Sequence, residues 1–342
     1  MRLTAFLLFL LLLGCSRPLP PGVTEIVYAT PYGPTHPFSR ADRAWMDFVE
    51  QRSGGTLRVR PSWSGALLSS DHSMIELRHN VADAGLITPI YVKGGAHLIR
   101  VQSGFYAGIT DIDQQTALYR CMAEASPGFA EELDGLVVLA VQGGSLPGII
   151  TRERPVRTLE DLRGLRIRAP TELLSVLRHL GADPVNMPMG EVYSALAKGV
   201  LDGVIAPADT FRALHFAEVT RHFTPLAIPR GAYPARAMSR ERWARLSPAH
   251  RAVLAEATAV WEAALAREIG AALEAGFEAA TAGGIRIHPV RPEDQHAFDR
   301  LYLRDAATNA AALSRYGIDG SAVFNTARAS IGANGQVHCR SS

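Results

Sequence analysis

The sequence predicts an α/β protein of two lobes with a cleft between them, and three observations carry that reading. Residues 158–208 run TLEDLRGLRIRAP and then TELLSVLRHLGADPVNMPMGEVYSALAKGVLDGVIAPA, an alternation of short strands and helices that builds a small α/β lobe. A similar alternation fills the chain before it, from residue 24 to residue 142. Beyond an apolar leader, roughly 320 of the 342 residues remain, more than one hydrophobic core usually organises.

The leader is MRLTAFLLFLLLLGCS. Arg2 supplies a positive start, and the apolar run 3–13 is shorter than the ~20 residues of a transmembrane helix, so it reads as a secretory signal. Leu13-Gly14-Cys15 has the form of a bacterial lipobox, which makes Cys15 the expected lipidated residue. Residues 16–23 then become an extended, proline-bearing tether, and the protein sits in the periplasm or cell envelope as a membrane-anchored lipoprotein. Net charge is +2. Lysine occurs only at Lys93 and Lys198, and the arginines are spread evenly, so no basic stripe for nucleic acid is present. Cys121 and Cys339 can pair in an oxidising compartment or remain free thiols; no Cys-x-x-Cys spacing supports zinc or redox chemistry.

In chain order, residues 24–30 (TEIVYAT) suit a first strand. A loop then leads into a helix over 41–51, with Trp45, Phe48 and Val49 on one face. Phe38 lies where strand gives way to helix, the end at which open α/β sheets bind ligands; the same position also suits a hydrophobic staple, and His36 shares it. Residues 56–61 (TLRVRP) alternate as a half-buried strand, followed by Trp63, which fits either core or cleft wall. His72 and His79 fall two turns apart on a helix that Asp71 can cap, with no third ligand near, so no metal site is assigned. Residues 84–88 read as a strand with Thr88 at its carboxyl end, a candidate polar contact. The stretch 91–115 carries little signal; Phe105 or Tyr106 is a candidate cleft lining, and Asp111 and Asp113 suit a cap for a helix starting at Gln114 better than a metal or paired-carboxylate site. Residues 135–142 (GLVVLAVQ) form a buried strand. Gly143-Gly144-Ser145 lacks the spacing of a nucleophile elbow, and no acid–base pair, metal set or cofactor motif accompanies it, so no enzyme activity is assigned.

In the central stretch, Thr158 and Asp161 make a capping-box-like start and Gly164 ends the turn. Arg166 and Arg168 share one face of the next strand, and an arginine at a strand end beside a cleft offers a planar fork of donors to a carboxylate. Periodicity alone does not say which of the two meets a ligand. Leu173, Leu174, Val176, Leu177 and Leu180 form a core-facing stripe. Residues 248–282 form a long Ala-rich helical pattern, 293–316 a second helix, and 323–342 a tail expected to be poorly ordered.

DLRGLRIRAP followed by LGADPVNMPMGEVYSALAKGVLDG resembles the DctP-type substrate-binding proteins of TRAP (tripartite ATP-independent periplasmic) transporters, with a weaker likeness from about residue 25 to about residue 282. The resemblance implies a periplasmic-binding-protein-like (Venus flytrap) fold with mixed sheets and a long helix along both lobes. It places lobe I at 24–142 plus about 231–255, and lobe II at 143–230 plus about 256–322. It also implies capture of a small carboxylate-containing organic acid, membrane permease subunits as partners, and no cofactor. The motif selects Arg168 as the carboxylate clamp and puts Met189 where relatives often carry an aromatic. Two positions depart from the pattern: Pro147 stands where many relatives have a second ligand-gripping arginine, and Ala206 where they have an asparagine. Either the ligand is less polar than usual, or other groups such as Asp209 and Thr210 compensate. Tyr233, at the return to lobe I, suits a ligand-facing hydroxyl or a core tyrosine. A membrane-anchored sensor of the same fold is the alternative to transport.

Overall fold

A computed structural model describes residues 19–92 and 94–340; the proposed leader and Cys15 lie outside the described residues. The first lobe opens with β1 (Thr24–Ala29), α1 (Pro37–Arg52), β2 (Leu57–Ser62), α2 (Ser73–Arg78) and β3 (Ala84–Leu86). After a 3₁₀ turn at Pro89–Tyr91 come α3 (His97–Gln102), α4 (Ile112–Ala125), α5 (Gly128–Glu132) and β4 (Leu136–Gln142). The chain crosses over and builds β5 (Gly148–Thr151), β6 (Arg166–Arg168), α6 (Leu174–His179), β7 (Asp183–Val185), α7 (Met189–Ala197), β8 (Gly203–Ala206), α8 (Thr210–Ala213), α9 (Phe216–Val219) and β9 (His222–Thr224). It returns as β10 (Tyr233–Ser239) and α10 (Arg240–Arg245). Then follow α11 (Pro248–Ala282), β11 (Arg286–Ile287), α12 (Pro292–Ala311) and α13 (Gly320–Ser330).

Two sheets result. The first has the order β2-β1-β3-β10-β4, with β1 parallel to β2 and β3, and β10 antiparallel to both neighbours. The second has the order β11-β9-β5-β8-β6-β7, with β5 antiparallel to β8 and β9, and β6 parallel to β7 and β8. The chain passes between them at 143–147, at 225–232 and through α11. The 35 residues of α11 have Pro248 in the first turn and Ser247 as cap, whose hydroxyl accepts from the His250 amide. Its Val253 to Ile269 face packs with Ile26, Trp45 and Met238 under the first sheet, while Ala280 joins Ile150, Val204 and Phe223 under the second. Among the described residues no helix is long and apolar enough to cross a membrane.

A buried ion network ties the first lobe to α11. Arg236 on β10 donates to Asp42 of α1 (2.9 Å) and to Gln142 of β4 (2.7 Å). Asp42 also accepts from Trp261 Nε1 (2.9 Å) and the Tyr28 hydroxyl (2.7 Å). Arg236 and Asp42 are both fully buried, so the pair is sustained by these extra hydrogen bonds and not by Coulomb attraction alone.

The tail does not match the sequence expectation. Val323 and Ala327 of α13 pack into the cluster that holds Leu118 and Tyr119 of α4, and Ile331 bridges Val337. Cys339 is disulfide-bonded to Cys121 on α4. The 11-residue helix has too few apolar positions to stand out in the sequence, and although it also packs on the end of α12 just before it, its partners on α4 and the disulfide are remote in the chain.

Candidate ligand-binding site

Between the two sheets lies a cavity of about 110 Å³. Tyr32, His36, Phe38, Thr88 and Tyr91 line it from the first lobe, Pro147, Arg168, Glu172, Met189 and Asp209 from the second, and Arg230 and Tyr233 from the return segment. Arg168 ends β6, where its main chain pairs with β7 and β8, and the residue is 3% exposed. Its Nε donates to the Met187 carbonyl (3.0 Å) and its Nη2 to the Tyr91 hydroxyl (2.7 Å). The guanidinium carbon lies 5.6 Å from the Tyr91 ring centroid. Among the described residues no carboxylate lies within ion-pair distance of it. Arg166, on the same short strand, is exposed and sits 3.8 Å from Asp183. Of the two arginines, Arg168 lines the cavity and Arg166 does not.

The other sequence candidates divide. Phe38 both lines the cavity and starts α1, and His36 caps that helix by accepting the Phe38 amide on Nδ1 (3.2 Å). Burial, with Arg236 and Arg40 nearby, pushes the His36 imidazole down to about 3, so the ring stays a neutral acceptor. Thr88 donates its hydroxyl to the Ser70 carbonyl, which leaves its oxygen as an acceptor. The Tyr233 hydroxyl makes no hydrogen bond among the described residues, and burial holds its pKa up. Pro147, Met189 and Asp209 all line the cavity. Ala206 does not. On β8 successive side chains alternate, so Ile205 faces the cavity while Ala206 packs into the opposite cluster with Val192 and Leu196. Trp63, Phe105 and Tyr106 serve the first lobe's packing and are not among the lining residues.

Tyr91, Glu172 and Arg230 are among the lining residues that carried no sequence signal. Arg230 lies in the returning connection. A Cβ on Gly144 would fall 2.4 Å from its Cζ, so only a glycine there leaves room for the guanidinium in its present place. Its Nη1 reaches the Ser145 carbonyl at 3.4 Å, and no acid within ion-pair distance neutralises it among the described residues. Asp209 Oδ1 and Glu172 Oε2 are buried without partners. Burial raises Asp209 to about 6 against the pull of Arg230, and Glu172 to about 7 against the pull of Arg168 and Arg230. The cleft thus holds two unpaired guanidiniums and two carboxyls pushed toward neutrality, an arrangement that favours an incoming anion.

Residues 28–306 match the DctP family model, described as bacterial extracellular solute-binding protein, family 7. The chain belongs to this family. A solute-binding protein of Albidiferax ferrireducens is 24% identical over 180 residues, 52% of this chain and 52% of that protein, so the aligned part is about half of each. The fold is that of TRAP periplasmic solute-binding proteins. The structure of one from Rhodoferax ferrireducens with copurified benzoate superposes with a TM-score of 0.81 at 23% identity, covering 90% of this chain and 97% of that one. A second, from Bordetella bronchiseptica with bound (R)- and (S)-mandelate, gives 0.78 at 20% identity, covering 90% and 98%. Within this DctP-family frame, the second cation in the cleft comes from the return segment, since Pro147 occupies the position that the motif comparison gave to an arginine.

Proposed function

We propose that the protein is the extracytoplasmic binding component of a TRAP transporter, and that it captures a small monocarboxylic acid by closure of its lobes and delivers it to membrane permease subunits. The observation that carries this reading is the buried, acid-free Arg168 guanidinium facing the inter-lobe cavity. A buried cation without a counter-ion is destabilising by several kcal/mol, and a ligand carboxylate supplies the missing charge. Arg230 contributes the second positive charge, and Asp209, Thr88 and Tyr233 offer polar contacts to the remainder of the ligand. Phe38, Pro147 and Met189 supply apolar walls.

The cavity volume favours a compact ligand: about 110 Å³ is somewhat less than the ~150 Å³ apolar cavity that holds benzene. The benzoate and mandelate bound by the two structurally similar proteins are compact monocarboxylates, each larger than this cavity, so either would require the lobes to part slightly around it. A leader ending in a lipidated Cys15 would keep the protein at the membrane beside its permease, and the Cys121–Cys339 bridge suits an oxidising compartment. Titration calorimetry with benzoate and mandelate tests the reading. Arg168→Ala is expected to weaken the acid that binds by at least ~100-fold, the lower end of the ~3–5 kcal/mol assigned to breaking a buried charge pair. Unchanged affinity in that variant would remove the carboxylate-clamp account.

A further inference from the structure

A second cavity, of about 240 Å³, opens on the flank of the cleft. It is walled by α3 of the first lobe, by the segment 171–178 of the second, and by the end of α12 with the 3₁₀ turn Ala312–Tyr316. Three arginines line it, one from each wall: Arg100, Arg178 and Arg315. None forms an ion pair among the described residues, although other arginines among those residues pair with acids, Arg40 with Glu268 and Arg304 with Asp305 among them. Arg100 is half-buried. Its Nη1 donates to the Val92 carbonyl (2.7 Å), its Nη2 lies 3.2 Å from His97 Nδ1, and its Nε is buried with no partner. Arg315 is exposed but positioned, with its guanidinium carbon 4.8 Å from the Tyr316 ring, which in turn stacks on His97 at 3.7 Å. Asn309 adds an amide. The one acid in the lining is Glu172, whose Oε2 is itself without a partner and which also lines the ligand cleft.

We propose that this flank cavity is a second anion site, taking a tetrahedral oxyanion of the phosphate or sulfate type between the two lobes. Three guanidiniums from three separate elements exceed what one carboxylate accommodates, because its two oxygens accept at most two forks. A tetrahedral dianion has the acceptors for all three and neutralises two of their three charges. The walls belong to different cores: Leu98 and Ile99 of α3 pack with Val141 and Ala237, whereas Val176 and Leu177 of α6 pack with Ile167. An anion held by both walls therefore favours the arrangement that brings the lobes together. Glu172 lines both cavities and so connects them: an oxyanion on its flank side drives its carboxyl toward the neutral form, which offsets part of the oxyanion's own repulsion for an acid in the main cleft and leaves the closure of the lobes to set the sign of the coupling. This coupling, unlike the site, rests on the solute-binding reading above.

The test uses inorganic phosphate and, in a separate arm, inorganic sulfate, each titrated calorimetrically and by thermal shift at pH 7 against sodium chloride of equal ionic strength. The expected result is saturable binding of at least one of the two with a rise in Tm, at least tenfold weaker in Arg315→Ala and in Arg178→Ala, whose exposed side chains should be removable without unfolding the protein. Arg168→Ala is expected to keep that binding, so loss of the main site and loss of the flank site are read separately. Absence of saturable binding, or an equal Tm rise in wild type and in both flank variants, overturns the site. Unchanged benzoate affinity at saturating oxyanion overturns the coupling.

Discussion

A single missing side chain decides where the second cation of the cleft sits. Gly144 has no need of an unusual backbone; what it provides is space for the Arg230 guanidinium. Gly144→Ala should displace a flexible side-chain end while leaving the Gly144–Gln115 main-chain hydrogen bonds in place. The expected outcome by calorimetry is about tenfold weaker binding of the acid, ~1.4 kcal/mol, with a nearly unchanged melting temperature; full affinity would show that Arg230 does not touch the ligand. Glu172 gives a pH-dependent prediction. Part of the residue remains accessible, but Oε2 is sealed and unpartnered, and the carboxyl is raised from its ordinary 4.5 to about 7. The native state then holds this proton more tightly than the unfolded chain. Its stabilising contribution is complete below pH 4.5 and is lost as pH rises through 7. In ligand-free urea melts, Glu172→Gln should match wild type near pH 4.5 and exceed it by about 1–3 kcal/mol at pH 8. A constant difference between the two pH values would contradict the assignment. At this scale Arg168 was legible because a strand-end arginine lay inside a long motif. Arg230 was not, because nothing in a proline-flanked connection signals a side chain folded back over a glycine. Ala206 misled because a motif position fixes a place in the chain, whereas strand alternation decides which face it serves.

The elements divide along similar lines. Helix α11 was readable end to end, since Ser247-Pro248 starts it and an almost unbroken Ala-rich run continues it. Its Gly276 had no visible purpose in the sequence. In the fold a Cβ there would fall 2.1 Å from the Ala208 carbonyl oxygen, so this glycine lets α11 press against the segment that presents Asp209. The C-terminal segment carries little signal because its helix is short and its anchors on α4 are distant in sequence. The disulfide between Cys121 and Cys339 closes a separation of 218 residues and fastens that segment to α4. A closed loop of this length removes much unfolded-state freedom, and the usual range for such a bridge is ~2–4 kcal/mol. Cys339→Ser should lower unfolding free energy by that amount in a denaturant melt, and reductant should lower wild type to the same level. Acid affinity should stay unchanged, because neither cysteine lines the cleft. Equal stability of oxidised wild type and variant would mean that α13 is held by packing alone.

For the molecule as a whole, the two-lobed plan followed from chain length and strand–helix alternation, but the contact that joins the lobes across the cleft did not. It falls in the stretch after β3 where the sequence offered least, and it pairs two residues 77 positions apart. Tyr91, on the first lobe, accepts the Arg168 Nη2 hydrogen bond from the second at 2.7 Å. The clamp residue thus has two engagements: Nε is fixed within its own lobe by the Met187 carbonyl, and one Nη2 proton reaches across the opening, which leaves donors for a carboxylate. Hydrogen bonds to a charged group contribute about 1.5–3 kcal/mol, enough to shift an open–closed equilibrium whose states differ by a few kcal/mol. Tyr91→Phe deletes the bridging oxygen and keeps both the ring and the arginine. The ligand-free variant should populate the open form more, with a larger radius of gyration by solution X-ray scattering. Its acid affinity should fall about tenfold, because apparent affinity scales with the fraction of molecules able to close. A fall in affinity with an unchanged ligand-free radius would instead assign the hydroxyl to the ligand, and no change in either would show that closure depends on the ligand alone.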